Sequence, residues 1–270
     1  MSELQLCLGT YARHPFYAKE LGIRLYSAEE LSYYILQNPF ILEDDFVDDN
    51  LLTFISEELS LPELAEKFAH WRTQTEPCVL WTLMLREMHY CTEQELQQFA
   101  RQAETRRNAK PWEMKLNKAD YLAESGRYKK AVKIYDQLIA RDQAAGDPLF
   151  YARVLHNKGV CLGRLFELQA AADCLAEAHR QNPEADSLHQ LFFLKQMDPA
   201  IQADEELLGS ISAQTQYRWK NEFDAAVKTA VESESCRTVS ECFRRADERR
   251  PAVIRGVLGD WKQEYRHMSF

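Results

Sequence analysis

The sequence predicts an all-α fold: helical hairpins stacked as a superhelix, with an acidic helical region ahead of them and capping helices behind. Three observations carry this. Apolar residues recur at helical spacing along most of the chain. The 270 residues include only 9 Gly and 9 Pro, against abundant Leu, Ala, Glu, Lys and Arg, so propensity and punctuation both favour helix over sheet. Finally, one helix-turn-helix pattern is written twice over residues 112–183. With 46% hydrophobic residues a large core can be buried, in one helical superstructure or in two domains. The expected divisions are an acidic helical region at 1–110, hairpins at 111–208 and C-terminal helices packing on them at 209–270.

Taken in order, residues 1–26 are the least helical. Short apolar runs at 4–8 and 23–26, separated by His14-Pro15 and Gly22, are expected to lie as extended segments on the first helices rather than as strands. Ser27 with Glu30 reads as a capping box that opens a helix through Leu31, Tyr34, Ile35 and Leu36. Pro39 ends it, because the residue before a proline is pushed out of the helical region. The acidic run Glu43, Asp44, Asp45, Asp48 and Asp49 lacks the central glycine and terminal glutamate of a calcium loop. Its carboxylates instead favour the positive amino end of a helix over 50–59. Helices follow over 61–71, with Pro62 in the first turn, and over 77–89. Thr92 with Glu95 then opens another, to about residue 107.

The repeated unit comes next. Ala119, Leu122, Gly126, Tyr128, Ala131, Tyr135 and Leu138 are answered forty residues later by Gly159, Leu162, Phe166, Leu168, Ala171, Leu175 and Ala178. Small residues, Ala119 and Gly159 and then Ala131 and Ala171, fall where two helices must approach closely. In this pattern the chain resembles the tetratricopeptide repeat family, whose unit of about 34 residues is a helix hairpin that stacks on its neighbours. A degenerate third hairpin over 187–208 extends the resemblance, with Leu188, Leu191, Phe192 and Leu194 inward. The family's early aromatic is replaced by Lys115 and Leu155, and the closing proline of the first unit by Gln143.

The resemblance implies a non-catalytic scaffold or adaptor that binds a protein or peptide in a groove lined by the first helix of each hairpin. Those positions map to Leu116, Asp120, Ala123 and Glu124, then Arg153, His156, Val160 and Arg164, then His189, Phe193 and Gln196. Asn157 alone fits the carboxylate clamp of one subset of the family. Leu116, Asp120, Asp186 and Gln190 occupy other clamp positions, so a clamp is not expected. Arg153 and Arg164 suit an acidic peptide.

Beyond Pro199, helices are expected over 200–209, 213–233, 239–249 and 251–267. Phe223, Val227, Ala230 and Val231 form the apolar stripe of the second. In the last, Val253, Ile254, Val257, Leu258, Trp261 and Tyr265 do so, as a helix that caps the open end of a stack requires.

Charge and chemistry narrow the function. Residues 1–100 carry 17 acidic and 6 basic side chains and residues 101–270 carry 25 and 27, so nucleic acid is not the expected partner. The cluster Arg244, Arg245, Arg249 and Arg250 is offset by Glu241, Asp247 and Glu248. Seven cysteines without C-x-x-C spacing, no signal peptide and no long apolar run point to a reduced cytoplasmic protein without membrane insertion. No phosphate loop, dinucleotide fingerprint, nucleophile elbow or zinc helix occurs. His156, Cys161, Cys174 and His179 form a symmetric set, but residues five apart on a helix are rotated by about 140°. Asp186-x-x-His189 lacks the second copy that a di-iron bundle needs. No catalytic residue, metal or cofactor is therefore expected. The alternatives are a peptide-sensing regulator that signals to the C-terminal helices, or an enzyme sited between the front region and the repeats, where His70, Cys78, His89 and Cys91 would have to converge.

Overall fold

The computed structural model describes residues 11–141, 146–183, 186–244 and 250–269. These residues form fourteen α-helices and two short strands. Two compact units divide the chain, Met1–Tyr121 and Leu122–Phe270.

In the first unit, β1 (Phe16–Ala18) pairs antiparallel with β2 (Ile23–Leu25), with Phe16 opposite Leu25. The extended-segment expectation is thereby corrected: a positive φ of 64° at Gly22 lets the chain turn back, so residues 23–25 find a partner within reach. The run at 4–8 lies outside the described residues. Helix α1 (Ala28–Gln37) starts where Ser27 Oγ accepts from the Glu30 amide at 3.1 Å. The return bond falls on the Tyr26 amide, which donates to the Glu30 carboxylate at 2.5 Å. Asp48 caps α2 (Asp49–Thr53) by accepting from the Leu51 amide, and the helix widens into a π-helical stretch (Phe54–Glu58). Then come α3 (Pro62–Arg72), α4 (Pro77–Met88) and α5 (Glu93–Asn108). The last opens on a reciprocal capping box between Thr92 and Glu95. Leu31, Ile35, Ile55, Phe68, Trp81 and Leu85, fully buried, hold these helices together. Helix α6 (Pro111–Glu124) contains the division between the units.

The second unit begins with four consecutive helices, α7 (Tyr128–Ile139), α8 (Pro148–Arg164), α9 (Leu168–Gln181) and α10 (Ser187–Met197), each packed on the next. The repeat seen in the sequence has a backbone counterpart. Gly126 and Phe166, forty residues apart, both take positive φ, 74° and 61°. The Arg127 amide donates to Leu122 O at 2.7 Å, and the Glu167 amide to Leu162 O at 3.0 Å. Both helices thus stop with the same left-handed closure. Leu162, Ala171, Leu175, Leu191 and Leu194 belong to one buried cluster linking α8, α9 and α10.

The third segment departs from expectation. Helix α11 is only Glu205–Gly209, because Asp204 accepts from the Glu206 and Leu207 amides and starts it late. After α12 (Ala213–Val231), α13 (Glu234–Arg244) begins five residues before the expected 239, and α14 (Arg250–Ser269) closes the chain. Residues 245–249, which hold two of the four clustered arginines, lie outside the described residues. Helix α14 touches α7 and α13, and Lys129 Nζ donates to Tyr265 Oη at 3.3 Å. The expected cap is incomplete: Leu258, Trp261 and Tyr265 remain exposed. Among the described residues, no helix is long and apolar enough to cross a membrane.

Candidate functional site

Helix α8 has two faces of opposite character. Ala152, Leu155, Gly159 and Leu162 are buried, while Leu149, Arg153, Val160 and Arg164, spaced by four, seven and four residues, are exposed. That spacing places the exposed four on one side of a 3.6-residue helix. Among the sequence-predicted residues, Arg153, Val160 and Arg164 are therefore brought together on one open strip. His156 lies half-buried beside it, with Nδ1 2.9 Å from Ser187 Oγ at the start of α10. Ser187 is fully buried. Burial lowers the His156 pKa, opposed by the charge of Asp186. Asn157 is half-buried. On α6, Asp120 is half-buried and belongs to the Met1–Tyr121 unit, whereas Glu124 is exposed in the other. Leu116, expected to face the groove, is instead buried at 2% exposure, and Ala119 three residues on is fully buried.

The α10 positions have a different fate. The His189 ring stacks on Trp219 of α12 at 4.5 Å and 21°. Phe193 lies 5.8 Å from Phe223, and Phe192 lies 5.7 Å from Trp219. His189 Nδ1 is 3.2 Å from Asp186, and Nε2 is 3.2 Å from Glu222. Gln196 is half-buried on the same helix. The face of α10 expected to receive a partner thus carries α12 of the same chain. No residue of α12 is itself buried.

Sequence reasoning missed a cavity of about 430 Å³ in the first unit. Phe16, Tyr34, Phe46 and Phe54 line it. Phe16 meets Phe46 edge-on at 6.1 Å and Phe54 at 5.8 Å, and Tyr34 stacks on Phe46 at 5.8 Å. The walls also carry carboxylates. Lys118 Nζ is 3.2 Å from Glu20 and 2.7 Å from Glu43. Glu58 accepts from the amides of Arg13 and His14, each at 3.0 Å, and pairs with His14 Nδ1 at 2.7 Å. These bonds hold its carboxyl below the usual carboxylate range. Burial first, then Glu20, Tyr121 and Glu43, push the Tyr34 phenol above its ordinary value, so it stays protonated. The signal available in the sequence was Phe46 inside the acidic run, with Phe54 and Glu58 four apart behind it.

Among the described residues, no three His, Cys, Asp or Glu side chains are grouped so as to hold a metal ion. Neither His156, Cys161, Cys174 and His179 nor His70, Cys78, His89 and Cys91 form such a group. Burial pushes the Cys78, Cys91 and Cys174 thiols up, away from the thiolate form that nucleophilic attack needs. The chain matches no protein-family model, no curated protein and no solved structure.

Proposed function

We propose that the chain is a non-catalytic, tetratricopeptide-like interaction scaffold of the reducing cytoplasm that binds a protein or peptide along the outer face of α8. The observation that carries this reading is the open strip from Leu149 to Arg164, about 22 Å long at 1.5 Å per residue. Helix α8 packs on both α7 and α9. Leu149 and Val160 offer apolar contact, and Arg153 and Arg164 offer charge-assisted hydrogen bonds to carboxylates. An acidic, amphipathic peptide matches that combination. The repeated turn at Gly126 and Phe166 supports the family-like architecture.

Affinity purification with the intact chain and with an Arg153→Glu, Val160→Asp, Arg164→Glu triple variant tests this. A Lys220→Glu variant on α12 serves as control. A partner kept by the control and lost by the triple variant supports the α8 strip; an identical partner set from all three overturns it.

One observation favours a second reading, a peptide-sensing regulator. Helix α12 covers His189 and Phe193 without burying any residue of its own, so a competing peptide would displace it at small cost. A peptide-induced increase in scattering radius supports the regulator, and an unchanged radius at saturation supports the static scaffold.

A further inference from the structure

We infer that the cavity of the Met1–Tyr121 unit binds a small organic cation: an ammonium or quaternary ammonium head on a short apolar stem. This goes beyond the scaffold reading and does not depend on it. The size fits, since 430 Å³ lies in the range of roughly 300–1,000 Å³ that receives whole small molecules. The walls fit as well. Phe16, Phe46 and Phe54 all line the cavity and pack on one another, so a cation seated against this cluster meets more than one ring, whose quadrupole attracts it.

Charge selects the sign. Glu20, Glu43, Asp45, Asp48 and Glu58 all line the cavity. The lysines beside them are Lys19 and Lys118; Lys118 pairs with Glu20 and Glu43, and His14 bonds Glu58. Asp45 is exposed. An anionic ligand meets this wall unfavourably, whereas an ammonium gains Coulombic attraction as it leaves water for the rings. One wall is the π-helical stretch Phe54–Glu58, a rare backbone form that recurs at functional sites.

Titration of the full chain with choline, n-butylammonium and the uncharged choline isostere 3,3-dimethylbutanol, followed by calorimetry, tests the inference. Binding of either cation, with the isostere at least tenfold weaker, is expected; choline against n-butylammonium shows which head the site prefers. Phe46→Leu is expected to weaken the cation by about tenfold and Asp45→Asn by about threefold. Circular dichroism and thermal unfolding report whether each variant remains folded. The inference is overturned if neither cation binds at millimolar concentration, if the isostere binds as tightly, or if folded Phe46→Leu binds unchanged.

Discussion

Gly159 on α8 and Leu175 on α9 meet so closely that a β-carbon on the glycine would lie 2.8 Å from Leu175 Cγ, and 3.2 Å from the Ala171 carbonyl oxygen. Ordinary helix propensity favours alanine over glycine by about 1 kcal/mol. The contact reverses that sign, because the fixed carbonyl cannot yield and Leu175 is fully buried. Gly159→Ala should therefore destabilise the protein by about 1–3 kcal/mol, read as a lower urea midpoint at unchanged slope.

The second repeat turns on Phe166, which holds φ at 61° while 78% exposed. Its side chain gives little burial in return for a left-handed backbone that costs an L-residue about 1–2 kcal/mol. Phe166→Gly should raise stability by about 1 kcal/mol. Gly126→Ala, at the matching turn, should lower it by a similar amount. Opposite shifts in thermal midpoint for the two variants check the pair.

His156 gives the second unit a pH dependence of definite sign. Its folded pKa is lowered from the ordinary 6.5 by burial, and that of His179 is lowered for the same reason. The folded state therefore binds fewer protons than the unfolded chain. The stability contribution is present above pH 6.5 and is lost as pH falls through the folded values. Denaturant titrations between pH 7.5 and 5 should show that loss, and His156→Gln with His179→Gln should flatten it.

Trp219 anchors α12 through His189 and Phe192. An aromatic contact of this kind is worth about 0.5–1.5 kcal/mol. Trp219→Ala should accelerate hydrogen exchange across 213–231, while α8 and α9 keep their protection, because no residue of α12 belongs to their buried cluster.

Much of the helical frame was legible because its signals are local. Ser27 and Thr92 cap by bonding residues three away, and the small residues at Ala131, Gly159 and Ala171 mark close approach wherever the partner helix lies. The C-terminal half of the candidate groove was not legible. His189 and Phe193 have the same spacing whether they face a foreign peptide or Trp219 and Phe223, and α12 comes after more than fifteen intervening residues. The cavity was hidden for a similar reason. Its walls combine β1, α1, the acidic run and a π-helical stretch, whose wider turn leaves no periodic signature.

The central claim is that α8 offers the partner-binding face while α10 is covered by α12. Hydrogen exchange of the chain, measured with and without a purified partner identified through the α8 variants, tests it most directly. The account predicts new protection concentrated in 148–164, with amides of 213–231 unchanged. Protection confined to 213–231, or to residues 16–58 around the cavity, would contradict it.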